Sequence, residues 1–301
     1  MPILSTIPSC KTILTLTSDT SSMWGIAWSP DNRQIATTCQ DATIHIWDAQ
    51  TGSHLFTLAG HTEGVESVAW SPDNIHIATA SQDTTARIWN AQTGSPLLTL
   101  THTHPIHGIA WSPNSHHIVT ASWDNVAYIW DVQSGKLLNT LTGHTNPVNG
   151  VAWSPNSLFI ATASDDKTIR IWDANTSQCL HTLTGHTRTI YNVAWSFDNK
   201  HIATTSADQT ARIWDAQTGL TLHLLSGHTN YVESTAWSPD NSQIVTASKD
   251  QTARIWDVQT GTLLLILTGH TAGINSTAWS PDGIHIATAS HDQTARIWES
   301  S

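Results

Sequence analysis

The sequence predicts an all-β chain of seven like units, each a four-stranded antiparallel sheet, closed into a ring. Three observations carry this. A signature reading Ile-Trp-Asp or a near variant places Trp47, Trp89, Trp130, Trp172, Trp214, Trp256 and Trp298 at steps of 42, 41, 42, 42, 42 and 42 residues. Each copy divides into four short β-branched or alternating stretches separated by turn formers. A lone four-stranded sheet cannot bury both of its faces, so neighbouring copies must stack face to face, which a radial ring accomplishes.

The elements follow in order within residues 55–90. "HLFTLA", "VESVAW", "HIATAS" and "TARIW" have strand character, and Gly-His-Thr, Ser-Pro-Asp-Asn, Gln-Asp and Ala-Gln-Thr-Gly mark the turns between and after them. After Trp298 only Glu-Ser-Ser remains, so the seventh copy lacks its fourth strand, and "KTILTLT" at residues 11–17 matches the missing piece. The N-terminal strand is therefore expected to complete the last blade of a seven-bladed β-propeller and so remove a free sheet edge. No linker or composition shift interrupts the copies, which predicts one domain over residues 1–301.

Composition narrows the function classes. Charged residues are only 12%, and the net charge is −11 with histidine neutral, which argues against a nucleic-acid backbone binder. Cys10, Cys39 and Cys179 have no CxxC spacing, so neither a disulfide framework nor a zinc site is expected. With no run of about 18 apolar residues and no signal segment, the reading is a soluble, cytoplasmic monomer with no membrane contact, no cofactor and no metal. A phosphate-binding GxxxxGK loop is missing from the sequence, which removes an ATPase reading for these residues.

The 42-residue period, the Gly-His near the start of a copy and the Trp-Asp at its end resemble the WD-repeat β-propeller family across essentially the whole chain. Near-identical copies such as "TARIWDAQTG" are similar to the highly repetitive propellers of bacterial signalling proteins. That likeness implies, as an alternative, the partner-sensing domain of a larger signalling ATPase or kinase. The resemblance also implies a buried hydrogen-bond relay of His, Ser, Asp and the strand Trp, here His61, Ser81, Asp83 and Trp89, then His144, Ser164, Asp166 and Trp172. A Ser, His and Asp recurring together suggests hydrolase chemistry at first sight, but six copies of a catalytic set around a ring would serve nothing, so the expectation is a structural network and no enzyme. Copy one departs from it, with Asp19 at the histidine position and Cys39 at the serine position, and copy three lacks the glycine before His102.

What all copies share is scaffold, and what differs is free for function. The lower rim, with its Ser-Pro-Asp-Asn and Ala-Gln-Thr-Gly turns, reads as nearly invariant. The upper rim carries the variation. Fourteen of the sixteen tryptophans are repeat positions, leaving Trp24 and Trp123, and the acids outside repeat positions are Glu63, Glu66, Asp165 and Glu233. Trp123 stands where other copies have Gln40, Gln82, Asp165, Ala207, Lys249 and His291. In WD-repeat propellers such upper-rim positions contact partners, so the family implies a protein or peptide ligand. The candidate contacts are Trp24, Glu63, Glu66, His107, Trp123, Asp165, Tyr191, Tyr231, Glu233 and Lys249. Two aromatic rings and two carboxylates in blades one to three suit a basic peptide, although Arg188 and Lys249 would repel it nearby. A small-molecule binder or enzyme using the central channel is the rival class, weakened by innermost strands that read mostly "VAW", "IAW" or "TAW".

Overall fold

Burial rises and falls across each blade in a way the residue types explain. In copy two, β6 (Val65–Trp70) and β8 (Thr85–Asn90) alternate buried and part-buried positions, whereas β7 (His76–Ser81) is buried from Ile77 to Ser81. That strand lies between two neighbouring blades, and its small Ala78, Thr79 and Ala80 leave room for the bulky chains of both. β9 (Pro96–Thr101) forms the outer edge and buries only Leu100. The computed structural model describes residues 11–18 and 21–300. In those residues it holds seven antiparallel sheets of four strands each, six of them built from consecutive strands.

Cohesion comes from between the blades. Ile44, Ile46 and Leu58 of blade one pack with Val65, Trp70, Ile77 and Trp89 of blade two, and an equivalent cluster fills every junction around the ring. Each fully buried large side chain contributes about 1.5–3 kcal/mol relative to an exposed one. Ring stacking adds to this on the lower side, where His76 lies against Trp111 and His201 against Trp237, with centroids 5.9 and 6.1 Å apart.

The ring closes as the sequence predicts. β1 (Thr12–Thr17) pairs antiparallel with β28 (Thr294–Glu299), from Thr12 opposite Trp298 to Thr17 opposite Thr294. Leu16 is buried in the cluster that joins the last blade to the first, beside Met23, Trp47 and Ile297. Cys10 and Asp19 lie outside the described residues.

Turn side chains knit the lower rim from blade to blade. Asn74 Nδ2 donates to Asp31 Oδ2 at 3.1 Å, the Asn156 amide to Asn199 Oδ1 at 2.9 Å, and the Asp282 amide to Asn32 Oδ1 at 3.2 Å. This rim is less uniform than its turn motifs suggest. Phe197 replaces the turn proline and stands 55% exposed, and Leu220, at a position that is polar in the other copies, is 66% exposed.

Candidate partner-binding face and the relay beneath it

One backbone irregularity recurs in every blade and creates the upper face. The innermost strands are β2 (Met23–Trp28), β6, β10 (Ile106–Trp111), β14 (Val148–Trp153), β18 (Ile190–Trp195), β22 (Val232–Trp237) and β26 (Ile274–Trp279). In each, pairing with the next strand slips at the second residue, a β-bulge that leaves this residue out of register and re-aims its side chain. The seven bulge residues are Trp24, Glu66, His107, Asn149, Tyr191, Glu233 and Asn275, and all line one cavity of about 280 Å³ at the mouth of the channel. The next residue is small for a reason: a Cβ on Gly108 would stand 2.7 Å from the Asn149 carbonyl, and one on Gly150 2.9 Å from that of Tyr191. Innermost strands approach closely there in blades three and four, whereas blade five accommodates Asn192 at the same position.

A second position is tied to the first by the same bond in every blade. The amides of Gln40, Gln82, Trp123, Asp165, Ala207, Lys249 and His291 donate to the carbonyls of Ser22, Gly64, Pro105, Pro147, Thr189, Tyr231 and Gly273. The variable upper-rim positions thus form two concentric layers fixed by backbone, which lets their side chains differ without altering the fold.

The predicted residues divide into three groups. Trp24 is half-buried, and its ring lies across the blade boundary on Gly64, where a Cβ would come within 2.8 Å of Cη2. Glu66 accepts from Gln82 Nε2 at 2.6 Å and lies 3.7 Å from His107 Nε2, and His107 stacks on Trp123 with centroids 5.3 Å apart. Trp123 is 42% exposed. Across the mouth, burial raises the Glu233 carboxyl above its ordinary range, while Lys249 at 3.6 Å opposes the rise. Lys249 Nζ also donates to Asn275 Oδ1 at 2.6 Å and lies 2.7 Å from His291 Nε2. An ammonium only donates, so His291 Nε2 accepts, and burial and then the Lys249 charge lower the His291 pKa. Burial and the Glu233 charge push the Tyr191 hydroxyl up to about 12, and Tyr191 faces Tyr231 at 6.2 Å. Asp165 stands back from the cavity and accepts from Asn149 Nδ2 at 2.7 Å. Glu63 is exposed and away from the cavity, so the structure does not bring it together with Glu66.

Beneath these layers runs the relay. Trp89 Nε1 donates to Thr79 Oγ1 at 2.9 Å, Thr79 Oγ1 lies 2.8 Å from His61 Nε2, and His61 Nδ1 lies 2.8 Å from Asp83 Oδ2. A carboxylate only accepts, so Nδ1 carries the proton and Nε2 accepts from the threonine hydroxyl. The same chain recurs through Thr162 with His144 and Trp172, and through Thr204, Thr246 and Thr288 in blades five to seven. Serine is not its link, contrary to the sequence expectation. Ser81 Oγ accepts the Asp83 amide at 3.1 Å and donates to the Gly64 carbonyl at 2.9 Å, and Ser164 sits beside Asp166 in the same way. The physical reason is position: Thr79 lies mid-strand, within reach of both the indole and the imidazole, whereas Ser81 ends the strand at the turn. Burial works against ionisation of Asp83, but the His61 bond, the Thr85 hydroxyl and the Thr62 amide together hold its carboxyl well below the usual range.

Comparison with known families agrees with this geometry. Residues 23–178 match the family model described as the echinoderm microtubule-associated protein second β-propeller, and residues 177–215, 219–257 and 261–299 match the WD domain, G-beta repeat. The chain belongs to the WD-repeat β-propellers. A search of curated proteins found no match. WD-repeat propellers are commonly protein-interaction modules and typically non-catalytic scaffolds, binding proteins or peptides.

Two blades of this WD-repeat propeller depart from the relay, and they are the two that carry the surplus tryptophans. In blade one Trp47 Nε1 still donates to Thr37 Oγ1 at 2.8 Å, but the sequence has Asp19 in place of the relay histidine, and Cys39 is buried where other blades have the turn serine. In blade three His102 Nε2 still meets Thr120 at 2.9 Å, yet Asp124 accepts instead from the Tyr128 hydroxyl and Thr103. His102 Nδ1 is left buried without a partner, and burial lowers its pKa to about 4. Tyr128 stands where five blades have an arginine that crosses the glycine of Gly-His, as Arg87 crosses Gly60. Blade three thus lacks both the glycine before its histidine and the arginine that crosses it elsewhere. Tyr128 was visible in the sequence as the single departure from arginine in that column apart from His45.

Proposed function

We propose that this chain is a non-catalytic recognition module that binds a basic peptide segment of a partner protein at the upper mouth of its channel. The observation that supports this most is the convergence of seven bulge residues, one from each blade, on a single cavity. Lys249 is matched there by Glu233, so the repulsion its charge would exert is largely cancelled, and Glu66, bonded to neutral Gln82 and 3.7 Å from His107, is a carboxylate with no lysine or arginine among the described residues paired to it and adds to the negative field of Glu233. The Trp24 ring on one side and the His107–Trp123 stack on the other offer π faces, each worth about 0.5–2 kcal/mol to a guanidinium or ammonium group. The free thiols of Cys39 and Cys179 suit the reducing cytoplasm as its setting, and we take the working unit to be a monomer.

The test is a fluorescence-anisotropy titration with a peptide of arginine and glycine alone, so that no apolar side chain contributes. Binding should weaken about tenfold in Trp24→Ala and again in Glu66→Gln, and should fall with added salt. Equal affinity for an aspartate–glycine peptide, or unchanged binding by both variants, would sink the reading.

A further inference from the structure

The lower rim holds a second deviation from the repeat, confined to one blade. Six copies place a proline after the first serine of the lower turn: Pro30, Pro72, Pro113, Pro155, Pro239 and Pro281. The fifth has Phe197. Proline has no amide hydrogen, whereas the Phe197 amide donates to Asn241 Oδ1 of blade six at 2.6 Å, one residue earlier than the Asn156 amide that makes the matching bond to Asn199 in blade four, so the cross-blade bond fixes the backbone directly under an outward ring. In the same blade Leu220 occupies the column that reads Lys11, Ser53, Ser95, Lys136, Gln178 and Thr262 elsewhere. The two turns touch, for the Ala216 amide donates to the Lys200 carbonyl at 2.8 Å and the Asp215 amide to that of Leu220 at 2.9 Å. Phe197 at 55% and Leu220 at 66% are the most exposed large apolar side chains among the described residues.

Beside them a cleft of about 530 Å³ opens between blades five and six, with Leu222, Ile213 and Val258 supplying its apolar wall and Asn241 and Asp257 its polar one. Asn241, which anchors Phe197, therefore also borders the cleft. The surroundings are acidic. The lower turns of these two blades carry Asp198, Asp215, Asp240 and Asp257 against one ammonium, Lys200, which lies 3.8 Å from Asp198. Ile75, Leu158 and Ile284 stand singly exposed in the lower turns of other blades, whereas Phe197 and Leu220 share adjoining turns beside a groove, the pattern of an interaction surface.

We infer that the lower corner of blades five and six is a second docking surface, taking a partner segment whose apolar side chains seat against Phe197, Leu220 and the cleft while flanking lysines or arginines meet the aspartates. Charge decides the occupant. A second copy of this chain, with its net charge of −11, would bring like charges together at the same rim. This surface is independent of the upper mouth.

The experiment titrates a short synthetic peptide of leucines flanked by lysines into the wild-type chain, into Phe197→Pro with Leu220→Thr, and into Trp24→Ala with Glu66→Gln. The first variant restores what other copies contain, so it should fold as they do, and circular dichroism checks this. The expected result is binding to the wild type, weakened about tenfold or more in the restored-repeat variant and little changed in the upper-mouth variant. A glutamate–leucine peptide should bind far more weakly. No binding to the wild type, equal binding by the restored-repeat variant, or equal binding of the glutamate–leucine peptide overturns the inference. Light scattering that shows a dimer, dissociated by the restored-repeat variant, would assign the surface to a second copy and overturn it as well.

Discussion

The upper and lower rims are built from the same seven repeats, yet they hold their variation differently. On the lower rim, turn side chains in several blades bond to the next blade and so help to close the ring. On the upper rim the recurring structural bonds lie one layer down, in the relay, and in backbone bonds that ignore side-chain identity, while Asn149 and Asn275 are the bulge side chains that also donate to the next blade's backbone. That difference teaches how a repeat protein gains a site at little cost to its fold: a bulge lifts one side chain per blade out of the ladder, where its type can differ from blade to blade while the strand pairing stays the same. Phe197 shows the exception, since it varies on the lower rim while its own amide takes over the cross-blade bond that the following residue makes in other blades.

The sharpest way to break both rims at once is to remove residues 1–17. Without β1, Trp298 and Ile297 lose the strand that covers them, and the drop in urea midpoint should exceed that of any single substitution. Next in size is Thr162→Val, which keeps shape but strands His144 Nε2 and the Trp172 indole. The expected loss is about 2–3 kcal/mol in equilibrium unfolding. Thr120→Val in blade three, where Asp124 has already left the chain, should cost less, on the order of 1 kcal/mol. Equal losses would mean that the relay does not act as a connected unit.

Acid should find the same layer. Asp83, Asp166, Asp208, Asp250 and Asp292 have carboxyls depressed in the folded state. Their contribution is therefore fully present above about pH 4, the ordinary unfolded value, and is lost as pH falls toward the lower folded values. Urea midpoints should decline modestly between pH 7 and 5, where the unfolded chain protonates histidines such as His102 that burial keeps neutral in the fold, and fall steeply below about pH 4; a flat profile down to pH 3 would contradict the assignment. Gly64→Ala should have a smaller effect, displacing the Trp24 ring at a cost of about 1–2 kcal/mol, visible as a change in tryptophan emission. The smallest is a gain. Thr84 is β-branched and sits at φ +67 in the turn after Asp83, so Thr84→Gly should stabilise by up to about 1 kcal/mol.

The blade count, strand order and closure by residues 12–17 were legible in the sequence because they rest on a period and on one missing strand. The relay was legible only in part. Thr79 and Ser81 both recur and lie on the same strand two residues apart, so recurrence alone cannot say which hydroxyl reaches the indole. Glu66 and Glu233 read alike in sequence, but only packing shows that Lys249 answers one and Gln82 the other. The seat of Trp24 on Gly64 joins two variable positions from different copies, a pairing no within-copy comparison reveals. Phe197 and Leu220 were hidden by the uniformity of the turns around them.

The central claim is that the bulge layer binds while the relay layer holds the fold. Peptide affinity and unfolding free energy measured side by side for Trp24→Ala with Glu66→Gln, and for Thr162→Val, test it most directly. The account predicts that the first variant loses arginine-peptide binding with a stability change within about 1 kcal/mol, and that the second keeps binding while losing about 2–3 kcal/mol. Loss of both properties together in either variant would contradict the separation of the two layers.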